Sequence, residues 1–558
     1  MKKTFFLILL IQSFYYCQSN EKLRSLAAEF WQWRTVQQPV SPDDIPRFDR
    51  PDGWTPDFSK TAIASYNDSY KNFLNKLDNL DKSKFSISDS VDYLCLRSAI
   101  ERVNWELNIL SSPFTNPDFY VTQTLGSIYE LLTIHTPFDE QRLKNLIIRL
   151  NAFPKIISDA KENLSGAKAP FAKIAVDNLD NILTKMKKIN EAVGKEMKVT
   201  DNHLNSAFDY AAKSLDDYRE WLQKRLPGLK KSSPIGKEAY NFFLKKIALI
   251  PYSTDEILEL GRLEFNRAVA FELLEKQKNI KLPKPEMFKS IEEEIEQGKK
   301  DEKQIRNFIQ QNNLATIPEW LKHYYLMRTP ERLLPIKYIS VDDDLTSENR
   351  LTENAARYIP TPGPNLPFFY NATAFDPRPL IIHEGIPGHY FQLAVSSKNP
   401  DALRRRFVDS GPNEGIAFYM EEILLQAGLF DKNTSTKEII YSFMRLRALR
   451  VEADVQLALG TFTTDQVAEF LSKAVPMDKQ TAVDDASFYS YNPGQAISYQ
   501  IGKIQVMKFL SDAKMKLGDK FDIKNFHDYL VLNGNVPISL LRWEYLGLRS
   551  EIKQFFIN

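Results

Sequence analysis

Apolar positions recur at steps of three and four through much of the chain, the spacing that gathers them on one face of a helix. In HLNSAFDYAAKSLDDYREWLQKRLP, Leu204, Ala207, Phe208, Ala211, Leu215, Tyr218 and Leu222 make one such stripe, which Pro227 ends. STDEILELGRLEFNRAVAFELLEKQ repeats the pattern, and Ser253 with Glu256 three residues on predicts a capping box at its start. The charge run from Glu292 to Lys303 reads as a solvated helix face. Two turn-rich stretches interrupt the helices: QQPVSPDDIPRFDRPDGWTPDF near the start, and YIPTPGPNLPFFYNATAFDPRP from Tyr358 to Pro379. Within the second, PFFYNATAF has the aromatic and β-branched content of a short strand. No repeat with a period of about 20–50 residues is visible, which argues against a solenoid. The pattern predicts a mainly α fold, a large helical protein with a small β-sheet just ahead of a histidine-bearing stretch.

Composition narrows the class. The 558 residues can bury a large core, and 73 basic against 72 acidic residues leave a net charge of +1. No excess of charge points to nucleic acid or an anionic membrane surface as a partner. The start, MKKTFFLILLIQSFYYCQSN, has two lysines before an apolar run too short to span a bilayer, as a secretory signal peptide does. Two processing sites fit: lipidation of Cys17, against which Tyr15 and Tyr16 are bulky, or cleavage after Ser19. The expected location is therefore outside the cytoplasm, periplasmic or lipid-anchored in the envelope, with no transmembrane span in the mature chain. Once Cys17 is removed only Cys95 remains, among apolar residues, where it reads as a buried small hydrophobe.

LIIHEGIPGHYFQ, Leu380 to Gln392, holds two of the six histidines. His383 and His389 are six apart, which on a regular helix turns them about 120° from each other. Pro387 breaks the helical hydrogen bonding and Gly388 tolerates unusual backbone, so a local bulge can absorb the extra residues. Glu384 then sits where helical zinc sites carry a general base. In GPNEGIAFYMEEI, Glu414 supplies a carboxylate from a second helix, completing a two-His, one-Glu set with an open position. Glu421, two turns on, is placed to support a ligand. Each residue alone reads better as a core histidine or a helix-start carboxylate than as a ligand; their combination predicts one zinc ion per chain. His135, His203, His323 and His527 stand isolated in the sequence.

HEGIPGHYFQ, NEGIAFYMEE and YNPGQAISYQIGK resemble, in order, three motifs of the bacterial domain of unknown function 885 family, which is grouped with the gluzincin metallopeptidases. RPDGWTPDFS, GKEAYNFFLKK and IPYSTDEILELG look similar too, so the likeness spans nearly the whole mature chain. It implies a gluzincin-like fold, His383, His389 and Glu414 as zinc ligands, and Glu384 as base. YNATAF looks like the edge strand on which gluzincins lay the substrate backbone, with Asn371 as a contact. The chain departs from the family where Ala458 stands in place of a frequent histidine. Tyr499 reads either as a donor to an oxyanion or as a buried, backbone-bonded tyrosine. Arg450 can hold a peptide carboxylate, or pair with Asp454 at i,i+4; Asp454 is otherwise a supporting residue.

The expectation is an exported zinc metallopeptidase acting on short peptides. It divides into a signal peptide (1–19), a helical region covering a cleft (20–340) and a zinc-binding catalytic region (341–558). The rival is a non-catalytic, helical ligand-binding lipoprotein of the envelope, a decayed peptidase.

Overall fold

Helices account for most of the computed structural model, which describes residues 20–41, 49–133, 139–198, 202–231, 234–339 and 351–556. The expected signal peptide, with Cys17, lies outside the described residues, as does the expected boundary at 340. No helix among the described residues is long and apolar enough to cross a membrane.

The amphipathic stripes become helices where they were expected. Asn202–Arg225 buries Leu204, Ala207, Phe208, Ala211, Leu215, Tyr218 and Leu222 on one face. Thr254–Asn279 opens with a reciprocal capping box between Ser253 and Glu256. The charge run behaves differently from the solvated face expected of it. It lies on the helix Ile291–Gln311, but Glu294, Asp301 and Glu302 are buried. The cause is packing: Gly298 lies so close to Leu326 that an added Cβ would stand 2.9 Å from its Cδ1. Glu302 is compensated there by Arg306 and by His323, whose Nδ1 is 3.0 Å away, so His323 is not isolated.

The small sheet precedes the histidines, but its strands are not the expected ones. Tyr324–Arg328 (β1) and Ala355–Ile359 (β2) pair in parallel, from Tyr324 opposite Ala355 to Arg328 opposite Ile359. PFFYNATAF instead forms the short helix Phe368–Thr373, and Asn371 is exposed on it. Phe368 and Phe369 both pack on Phe443, which fixes a helical turn in spite of the β-prone composition.

Two large cores meet at this sheet. The first joins Leu23, Phe30 and Leu96 to Ile381, Phe391, Phe418 and Trp543, so packing is continuous across residue 340; Cys95 is buried in it as a free thiol. The second contains the helical stripe of Leu204 to Leu222 together with Ala356 and Tyr358 of β2.

Two long helices, Ser410–Gln426 and Gln495–Leu517, cross at a pair of glycines. A Cβ on Gly502 would stand 2.2 Å from the Gly411 carbonyl oxygen and 2.7 Å from Gly415 Cα. Only hydrogen side chains allow that approach. Asp454, on the helix Thr434–Leu459, accepts hydrogen bonds from the amides of Gly494, Ala496 and Ile497 and so caps the second of these helices. It therefore makes no pair with Arg450, which instead binds Asp485 through two nitrogens at 2.8–3.1 Å. The i,i+4 spacing is outcompeted because three buried helix-end amides demand an acceptor. Ala458, on the same helix, is buried among Tyr240, Val455 and Ile497.

Two stability effects are expected from this packing. Gly502→Ala should destabilise by about 1–3 kcal/mol through overpacking against backbone. Asp454→Ala, which orphans buried amides, should cost about 1–3 kcal/mol. Chemical denaturation of each purified variant measures both.

Candidate metal centre

The local backbone explains how histidines six apart come together. Ile381–Gly385 forms one wide turn, in which the Ile386 amide donates to the Ile381 carbonyl at 2.9 Å. After the cis Ile386–Pro387 peptide and Gly388, a new helix begins at His389 and runs to Ser396. Gly388 passes so close beneath the first turn that a Cβ would stand 1.8 Å from the His383 carbonyl oxygen. Any larger residue would push the second helix away. The result is two imidazole rings 4.7 Å apart, their planes at 77°.

Glu414 meets them from the second turn of Ser410–Gln426. Nε2 of His383 and Nε2 of His389 each stand 3.3 Å from the same Glu414 oxygen. All three side chains are buried, and their ligand atoms lie within 4.8 Å of one another, a group that can hold a metal ion. Burial alone would raise the Glu414 carboxyl; His389 and His383 outweigh it and hold the group well below the usual carboxylate range.

A second layer orients this group. Glu421, two turns along the same helix, lies 2.6 Å from His383 Nδ1. That contact helps to hold the ring with Nε2 facing Glu414. Arg447 holds Glu421 at 3.0 Å from both oxygens and reaches His383 Nδ1 at 3.2 Å. The contact of Arg447 with the histidine depends on how two helices cross.

Glu384 faces Arg357 of β2 at 3.5 Å. Burial would raise the Glu384 carboxyl, but Arg357, His383 and His389 together lower it. Arg357 was not visible as a site residue in the sequence, because it comes from a strand that composition did not reveal. Tyr499 stacks near His383, with ring centroids 6.2 Å apart and planes at 14°. Arg450 lies 5.1 Å from the Tyr499 ring centroid and, being bound to Asp485, serves that neighbourhood and does not stand open to a substrate carboxylate. Asn371 is not brought into the group; its neighbour Tyr370 is the one that borders the cavity.

That cavity encloses about 1120 Å³. Arg357, Tyr370, Gln495 and Tyr499 line it on the histidine side, and Asp118, Lys173, Asn178 and Tyr338 line it on the other. The remaining histidines lie elsewhere. His527 is a satisfied core residue, donating from Nδ1 to the Leu314 carbonyl and accepting from Tyr419 at 2.8 Å. His203 is exposed, and His135 lies outside the described residues.

No curated protein matches the chain. Among solved structures, a candidate lipoprotein of unknown function from Shewanella oneidensis is similar with a TM-score of 0.71 at 17% identity, over 94% of this chain and 99% of its own. A candidate lipoprotein from Colwellia psychrerythraea is similar with a TM-score of 0.74 at 16% identity, over the same shares. Identities this low establish a common fold and no more. The sequence itself carries the assignment further: residues 44–544 match the family described as bacterial protein of unknown function, DUF885, and the chain belongs to that family.

Proposed function

We propose that the chain is an exported zinc metallopeptidase of gluzincin type that hydrolyses short peptides. The supporting observation is the pair of Nε2 atoms, each 3.3 Å from one Glu414 oxygen, beside Glu384 and the large cavity. Tetrahedral ligands at zinc distances of about 2.0–2.1 Å lie roughly 3.3 Å from each other, the separation of each histidine nitrogen from the Glu414 oxygen. Two imidazoles and one carboxylate are also the ligand types that leave zinc a fourth, reactive position. His383, His389 and Glu414 would hold it.

Zinc bound there would supply a Lewis acid that lowers the pKa of water and polarises a carbonyl. Glu384, kept ionised by Arg357 and the histidines, takes the proton from the attacking water and passes it to the leaving amine. Glu421 and Arg447 hold the His383 ring in register. Tyr499, on the cavity side of His383, is placed to donate to the oxyanion that forms on the substrate carbonyl. A chamber of this volume suits a peptide of a few residues and shuts out a folded domain. The similar structures are described as candidate lipoproteins, which supports an envelope location and a lipid anchor at Cys17.

Purified protein should contain close to one zinc per chain by elemental analysis. His389→Ala should lose most of it, and Glu421→Gln should weaken zinc affinity by about 10–100-fold. Full occupancy in His389→Ala would remove that residue from the ligand set.

Glu384→Gln keeps shape and removes the basic carboxylate. Its zinc content and melting temperature should stay near wild type, while hydrolysis of peptide libraries falls by about 10²–10⁴-fold. Undiminished hydrolysis would sink the proposed base. A zinc-loaded wild type that cleaves no peptide would favour the ligand-binding reading.

A further inference from the structure

Large exposed apolar side chains are scattered along the described chain, with one exception. Of seventeen, six (Leu263, Phe271, Leu273, Leu274, Ile280 and Leu282) fall on the helix Thr254–Asn279 and the loop after it, five of them from Phe271 onward. Leu273, Leu274, Ile280 and Leu282 are 62%, 55%, 70% and 52% exposed, so their own fold does not cover them. Concentrations of this kind mark contact surfaces.

The same stretch is basic. Lys276, Lys278, Lys281 and Lys284 interleave with the apolar residues, and no carboxylate occurs between 276 and 284; the exposed Glu286 follows. Lys276 and Lys278 reach back to Glu272 and Glu275 at 2.6 Å. Lys281 and Lys284 are exposed and stand in no ion pair among the described residues. The tip is also held in place. Asn279 donates to Glu438 at 2.7 Å, and the Phe288 amide donates to the Ala374 carbonyl at 2.9 Å.

Two occupants suit an apolar tip. A second copy across a two-fold axis would set the patch against itself, and its lysines against lysines. A bilayer with anionic head groups satisfies both features together: leucines enter the interfacial boundary while lysines meet phosphates. We propose that Phe271 to Lys284 is a membrane-surface contact selective for anionic lipid. It is separate from the metal centre and needs no acyl chain.

The test uses purified chain beginning at Asn20, so that no acyl group contributes, sedimented with lipid vesicles. Vesicles of phosphatidylglycerol mixed with phosphatidylcholine should bind it, and binding should fall about tenfold or more on pure phosphatidylcholine or at high salt. Ile280→Asp with Leu282→Asp, and separately Lys281→Glu with Lys284→Glu, should each reduce binding about tenfold or more. Because the four residues are exposed, melting temperature and zinc content should not change. Absence of wild-type binding, or binding by either variant at the wild-type level, overturns the proposal. A wild type that ignores vesicles but dimerises in solution, with the aspartate variant monomeric, would make the tip a self-association surface instead.

Discussion

Glu414 is a carboxylate with almost no exposed surface, in a core otherwise built from Phe418, Ile416 and Tyr419. Such a group is tolerable only with compensation close at hand, and the two imidazoles at 3.3 Å are that compensation. Their need propagates outward. His383 leans on Glu421, and Glu421, itself buried, requires Arg447. Four helical segments are thereby tied to one polar point. Three of them also depend on close backbone approach: Gly388 under His383, and Gly415 against Gly502.

The crossing at Gly415 has a second electrostatic layer beneath it. Lys503, next to Gly502 and almost wholly buried, binds Glu422 at 2.8 Å and Glu264 at 3.0 Å. Glu422 sits one residue beyond Glu421 on the same helix, so the helix presents one carboxylate to the His383 side and the next to the Lys503 side. A buried pair of this kind adds little net stability over an apolar pair but strongly opposes sliding or rotation of the helix, because a displaced charge would lose its partner.

What the sequence made legible was what depends on local spacing. The helical stripes, the Ser253–Glu256 cap and the wider histidine step absorbed at Pro387–Gly388 all follow from residues within a turn or two of each other. His383, Glu384, His389, Glu414 and Glu421 are brought together as that spacing implied. The misreadings share a different character. PFFYNATAF is helical because Phe443, far along the chain, takes both phenylalanines; Arg450 chooses Asp485 because Asp454 is claimed by three amides. The acidic run is half buried because β1 lies against it. In each case a long-range partner outbid a local propensity, and a single sequence does not display such partners.

The same alternation that hides a strand from composition gives β2 its function. Ala356 and Tyr358 point into the second core, among the helices that carry Leu204 to Leu222. Ala355 and Ile359 pack on the other side with the first core, and Arg357 between them faces Glu384. One residue of register would exchange these faces, burying the guanidinium in an apolar core and leaving Glu384 without its cation. The position of Arg357 is thus set by the packing of helices more than a hundred residues upstream. Neighbouring helices of that core, Pro117–Val121 and Ala169–Asn178, supply Asp118, Lys173 and Asn178 to the lining of the cavity. They are therefore not a cover laid over a finished site. Removing them would take away both the chamber and the strand alignment that holds the cation against Glu384.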